Sequence, residues 1–72
     1  MNRDEFLKEF ADVLQTEENL SAETILDDLE EWDSLSKIAT VAFFDRKIGK
    51  KLTFPEIAEF KTVDDILKKA GI

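Results

Sequence analysis

The sequence predicts an all-α fold of four helices with a long structured first connection and a short third helix. Three observations carry that expectation. Apolar residues recur at three- and four-residue spacing. Polar capping residues or a proline open the segments, and glycines close two of them. No stretch alternates apolar and polar residues with the period of a strand. The chain has 72 residues, which suits one domain spanning 1–72 near the lower size limit for a self-supporting core.

The first helix is expected at about 3–15. Asn2 can cap it, with Glu5 three residues later as the reciprocal partner, and Phe6, Phe10, Val13 and Leu14 recur along one face with Leu7 and Ala11 beside them. Residues 16–33 then form a long connection, a feature that is often functional. Leu20, Ile25, Leu26 and Leu29 are expected to pin it to the helices, and Thr24 with Asp27 marks a short helical turn. Asp33 or Ser34 caps a second helix at 34–48, for which Leu35, Ile38, Val41, Ala42 and Ile48 provide a broad apolar face. Gly49 is its stop, with Arg46 and Lys47 in the last turn. Phe43 and Phe44 point about 100° apart on a helix. Phe44 is expected in the core, and Phe43 towards solvent or the third helix. Pro55 suits the first turn of a short helix at 55–60. Thr62 with Asp65 opens a last helix at 63–70, which Gly71 ends.

Composition excludes more than it assigns. The absence of cysteine removes disulfides and thiolate metal sites. The absence of histidine removes the commonest general base and nitrogen ligand. No Ser/His pair or glycine-rich loop is present, and the acidic run Asp27, Asp28, Glu30, Glu31, Asp33 lacks the spacing and turn glycine of a calcium loop. A catalytic or metal function is therefore not expected. The 24 large apolar side chains (Leu, Ile, Val, Phe, Trp) must hold the fold by burial alone. The net charge is −7 and uneven: residues 1–33 carry 12 acids and 2 bases, residues 34–72 carry 5 acids and 8 bases. The acidic half repels nucleic acid and anionic membrane and favours a partner with a basic surface. No apolar run reaches membrane-spanning length and no charged, apolar, small-residue leader opens the chain, which fits a cytoplasmic protein.

The segment Asp28-Leu29-Glu30-Glu31-Trp32-Asp33-Ser34-Leu35 is the most informative. It resembles the attachment motif of the acyl carrier and peptidyl carrier protein family, an Asp-Ser-Leu at the start of the second helix preceded by an Asp-Leu pair. The resemblance extends through Ile48-Gly49, Leu52, Thr53-Phe54-Pro55 and Thr62-Val63, and so covers the whole chain. Serine at a helix start is, taken alone, usually only a cap; length, acidity, helix order and the long first loop shift the balance. Two departures stand out. Glu30-Glu31-Trp32 replaces the family's glycine-containing spacer and is one residue longer. The second helix, with Lys37, Asp45, Arg46 and Lys47, lacks the acidic face of many fatty-acid carriers.

The resemblance implies a four-helix bundle of acyl-carrier-protein type and a non-catalytic carrier. Ser34 would hold a 4′-phosphopantetheine arm derived from coenzyme A, flanked by Asp33 and Leu35, and the arm would carry an acyl or aminoacyl group as a thioester. The thiol comes from the cofactor, so a chain without cysteine can do this chemistry. A serine at a helix N-terminus presents its hydroxyl to solvent, and the free N–H groups there favour a phosphate. The implied partners are a phosphopantetheinyl transferase and acyl- or aminoacyl-loading and downstream biosynthetic enzymes with basic surfaces, in a specialised rather than housekeeping fatty-acid pathway, with the carrier monomeric. Glu30, Glu31, Trp32, Asp33 and Lys37 are the candidate docking residues, Trp32 being more simply read as an anchor for the loop. Ile38, Ala42, Phe44, Ile57 and Phe60 are the candidate lining of an acyl pocket, which bulky Phe44 would restrict to a short or polar cargo. The competing reading is an unmodified acidic helical adaptor that binds a basic partner protein.

Overall fold

Capping chemistry decides where each helix begins. In the computed structural model, which describes residues 1–72, α1 spans Arg3–Leu14, α2 Ser34–Phe43, α3 Phe54–Glu59 and α4 Val63–Ala70. At α1 the Asn2 side chain accepts the Glu5 N–H at 2.8 Å while the Glu5 carboxylate accepts the Asn2 N–H at 3.3 Å. Thr53 and Glu56 make the same reciprocal pair ahead of α3, where Pro55 sits in the first turn. Before α4 the Asp65 carboxylate accepts the N–H groups of Lys61 and Thr62 at 2.9 and 3.2 Å. Each such pair satisfies donors that the helix cannot bond internally. The fold is all-α; the closest approach to a sheet is a single antiparallel bridge between Ile25 and Thr62.

That bridge explains how the long connection is held. The N–H of Leu26 donates to Lys61 O at 2.9 Å, that of Val63 to Thr24 O at 3.0 Å, and that of Asp64 to Ala22 O at 2.9 Å. The loop is thereby stitched to the start of α4 by backbone alone. Leu26 and Leu29 are buried beneath it and Leu20 is half-buried. Ile25, expected to pin the loop with its side chain, is instead 50% exposed. Extended backbone alternates its side chains, so with Leu26 pointing in, Ile25 points out. The short turn lies at Leu26–Asp28, and Thr24 Oγ1 accepts the N–H of Ser21 at 2.9 Å.

The core is organised around aromatic rings. Phe6 packs on Phe10, Phe43 and Phe44 with ring centroids 5.8, 5.6 and 6.2 Å apart, and Phe10 meets Trp32 at 6.2 Å. Leu14, Leu52, Ile57, Val63, Ile66, Leu67 and Ala70 complete it. Burial of each large apolar side chain contributes roughly 1.5–3 kcal/mol before entropy is subtracted.

Two expectations about the second helix are corrected here. Phe43 does not face solvent or the third helix; it is buried, as is Phe44. Both rings close on Phe6, so the two directions they take both lead into the core. The broad apolar face of this helix also packs inward only in part, through Val41 and Ile48. Leu35 is 77% exposed, Ile38 53% exposed and Ala42 exposed, with Val41 and Ile48 half-buried. The inward stripe is Ser36, Thr40 and Phe43. Thr40 Oγ1 donates to Ser36 O at 2.8 Å, so the buried hydroxyl is satisfied within the helix and burial costs little. The aromatic pair sets the rotation of α2, because both rings are buried on Phe6.

The second helix was expected to run as one piece over 34–48. After Phe43 it widens into a single π turn, Phe44–Ile48. The N–H groups of Gly49 and Lys50 both donate to Phe44 O, at 2.8 and 3.2 Å. Gly49 ends the turn at φ 76°, a conformation that a residue without Cβ adopts freely.

Candidate functional site

The start of α2 resolves which residue caps it. Asp33 is the N-cap, in extended backbone at φ −126° and ψ −172°. Its carboxylate accepts the Ser36 N–H at 2.9 Å, and Ser36 Oγ accepts the Asp33 N–H at 2.9 Å. The Ser36 hydroxyl donates in turn to Asp33 O at 3.0 Å, and the Lys37 N–H donates to the same carbonyl at 3.0 Å. The box is closed by Asp33 and Ser36. Ser34, at the first helical position, takes no part in it: the residue is exposed and its hydroxyl makes no hydrogen bond within the chain. The N–H groups of Ser34 and Leu35 also find no acceptor within the chain. A free hydroxyl therefore stands beside two free backbone donors at the positive end of a helix dipole.

The role of Ser36 was not anticipated from the sequence. The signal was present, since Asp33 and Ser36 have the three-residue spacing of a capping box, with serine in place of the usual Glu or Gln.

Around Ser34 the other candidate residues separate by environment. Trp32 is buried against Phe10, and the Lys37 ammonium lies 5.6 Å from the centre of its ring. The pair thus ties the end of the loop to the first turn of α2, with Trp32 as a packing anchor and Lys37 held over its face. Glu30, Asp33 and Leu35 are exposed. Glu31 is half-buried, and its Oε1 is buried without any hydrogen-bond partner. Glu17, Glu18, Asp28, Glu30 and Glu31 border an open basin together with Gln15 and Thr16. No group of three or more acidic side chains converges closely enough to hold a metal ion.

The five residues expected to line an acyl pocket are dispersed. Phe44 and Ile57 are in the core, Phe60 is half-buried, and Ile38 and Ala42 face outward. Ile38 and Ala42 share an open surface crevice with Val41, Asp45, Lys51 and Leu52, to which the other three contribute nothing.

Two acids carry lowered pKa values, both at helix starts. The Lys69 ammonium, followed by bonds from Thr53, holds the Glu56 carboxyl below its ordinary value. The N–H groups of Lys61 and Thr62 do the same for Asp65. Both are features of the fold and lie on α3 and α4, away from the start of α2 in the chain. No helix is long and apolar enough to cross a membrane. Compared with known proteins, the chain matches no family model, and no curated protein or solved structure is significantly similar to it.

Proposed function

We propose that the chain is a carrier protein whose Ser34 is modified with 4′-phosphopantetheine and which presents an acyl or aminoacyl group to partner enzymes as a thioester. One observation carries the reading: Asp33 and Ser36 take over the capping of α2, which leaves the Ser34 hydroxyl exposed and unbonded. A serine used as a cap would have its oxygen engaged. In the modification, Ser34 Oγ attacks the β-phosphorus of coenzyme A, the P–O–P bond breaks, and adenosine 3′,5′-bisphosphate leaves. The serine proton passes to a base on the transferase. The free N–H groups of Ser34 and Leu35 are placed to favour the resulting phosphodiester.

The transferase and loading enzymes would approach with basic surfaces, matched to the acids around the loop basin. The cargo would be short or polar and remain largely in solvent, because Phe44 and Ile57 fill the interior behind α2 and a close-packed core opens only at a cost. Thermal midpoints of the protein loaded with acyl groups of increasing length test this; a steady rise with each added methylene would show a sequestered chain.

The decisive experiment is intact mass after incubation with coenzyme A and a broad-specificity phosphopantetheinyl transferase. Addition of one phosphopantetheinyl group to the chain, and none to Ser34→Ala, supports the reading. Equal modification of the alanine variant refutes the site. A second reading, an unmodified adaptor, draws on the exposed stripe Leu35, Ile38 and Ala42. Refusal by several transferases would favour it.

A further inference from the structure

We propose that the seam between α1 and α2 seats the cargo of the arm on Ser34, and that the fitting cargo is a short acyl group ending in a carboxylate, held by Arg46. This rests on the carrier reading above and names the substrate class of the same site. Two surface crevices follow the seam, and Val13 and Ala39 border both, so the two meet there. The upper one reaches Asp33 and Leu35, the neighbours of Ser34. The lower one has a volume of about 370 Å³, and Val13, Ala39, Ala42 and Phe43 supply its apolar lining. That volume is in the range of small-molecule sites. On α2, Leu35, Ala39, Ala42 and Arg46 recur at i, i+4, i+7 and i+11, which places them on one stripe of the helix, and all four border the crevices. The two alanines keep the middle of the stripe low, between Leu35 at one end and Arg46 at the other.

Reach decides what arrives at the lower end. A helix rises about 1.5 Å per residue, so Arg46 stands ~18 Å along α2 from Ser34. From Ser34 Oγ to its sulfur the arm has the backbone length of about four extended residues, ~15 Å. Laid along the stripe, it brings the thioester to the level of Phe43 and the acyl group to Arg46. Charge then decides what kind of acyl group fits. Four charged side chains border the lower crevice, Glu9, Asp12, Arg46 and Lys47. Glu9 and Lys47 engage one another, Oε1 to Nζ at 3.8 Å. Asp12 and Arg46 belong to none of the ion pairs, and both are exposed. Arg46 continues the stripe along which the arm runs, whereas Asp12 stands across the seam on α1. A carboxylate at the tip of the cargo therefore meets the guanidinium, whose planar fork can bind both carboxylate oxygens at once. The apolar lining receives the methylenes between thioester and carboxylate. Such a cargo rests on the surface, since Phe44 and Ile57 occupy the interior.

The test uses the full chain loaded by a transferase from the coenzyme A thioesters of ¹³C-labelled succinate, butyrate and β-alanine, with loading checked by intact mass. The three acyl groups are of similar length and end in a carboxylate, a methyl and an ammonium. The succinyl methylenes should show NOEs to the methyls of Val13, Ala39 or Ala42, and the Arg46 side-chain N–H signals should shift. Butyryl and β-alanyl groups should give NOEs about tenfold weaker, the ratio expected when a hydrogen bond to a charged group is lost. Arg46→Gln should reduce the succinyl NOEs by the same factor, and Arg46→Lys should retain part of them. Arg46 is exposed and unpaired, so both variants should unfold at the parent's midpoint; the succinyl NOEs are read on the unmutated protein and stand even where a variant is perturbed. Equal NOEs from all three groups, or a preference for β-alanyl that disappears in Asp12→Asn, overturns the assignment of a carboxylate to Arg46. A succinyl-loaded chain without NOEs to the seam overturns the whole inference and leaves the carrier reading intact. A chain that accepts no arm overturns both.

Discussion

Alanine substitution at three neighbouring positions tests whether Ser34 is free or is a cap. Removing an N-cap side chain costs about 0.5–2 kcal/mol. Asp33→Ala removes the acceptor for the Ser36 N–H and should fall near 1 kcal/mol, since the bond is only partly buried. Ser36→Ala removes the reciprocal acceptor for the Asp33 N–H and the donor to Asp33 O, and should cost a similar amount. Because the two side chains act through one box, the double variant should cost less than the singles added together. Ser34→Ala removes no hydrogen bond and exchanges an exposed serine for a better helix former, so its effect should lie within about 0.5 kcal/mol of zero. In a domain of this size 1 kcal/mol moves the thermal midpoint by roughly 4–8 °C, so calorimetry or urea unfolding separates the outcomes. A loss of 1 kcal/mol or more at Ser34, with little change at Asp33, would mean that Ser34 caps α2. Its hydroxyl would then be engaged, and the observation on which the carrier reading rests would be gone.

Other positions test the remaining parts of the fold. Phe6→Ala removes the ring on which Phe10, Phe43 and Phe44 converge; a loss of about 3–5 kcal/mol is expected, a large share of the total for so small a domain, read from urea titration. Replacing Leu35 and Ile38 together with Lys should change stability by no more than about 0.5 kcal/mol per site, because both are exposed; a loss of several kcal/mol would place that face of α2 in the core. The acid groups should show in the pH dependence. Glu56 and Asp65 have folded-state pKa values below the ordinary 4.5 and 3.8, so the stability they contribute is present above those values and is lost as pH falls through the lowered ones. Urea titrations of Glu56→Gln and Asp65→Asn should therefore differ most from the parent at neutral pH and converge with it in acid; a gap that persisted at low pH would contradict the assignment.

How much of this could be read from the residues alone depended on how local the deciding interaction was. Helix starts at Asn2 and Thr62 and stops at Gly49 and Gly71 were legible because a cap or a left-handed terminus is settled within four or five residues. The candidate serine was legible from the run Asp33-Ser34-Leu35, but its freedom was not. Asp33 and Ser34 are both good caps, and one position of register decides between them; the closing of the Asp33–Ser36 box selects Asp33. The rotation of α2 lay further out of reach. Apolar side chains occur on both sides of that helix, so periodicity permits either face to be buried. The contact of Phe43 and Phe44 with Phe6, far away in sequence, turns Ser36 and Thr40 inward and leaves Leu35, Ile38 and Ala42 outside. The same holds for the loop, where backbone bonds to Lys61 and Val63 bury Leu26 and expose Ile25. Local chemistry is encoded by neighbours in sequence and can be read from them. The choice between two apolar faces arises only when distant segments compete for the same interior.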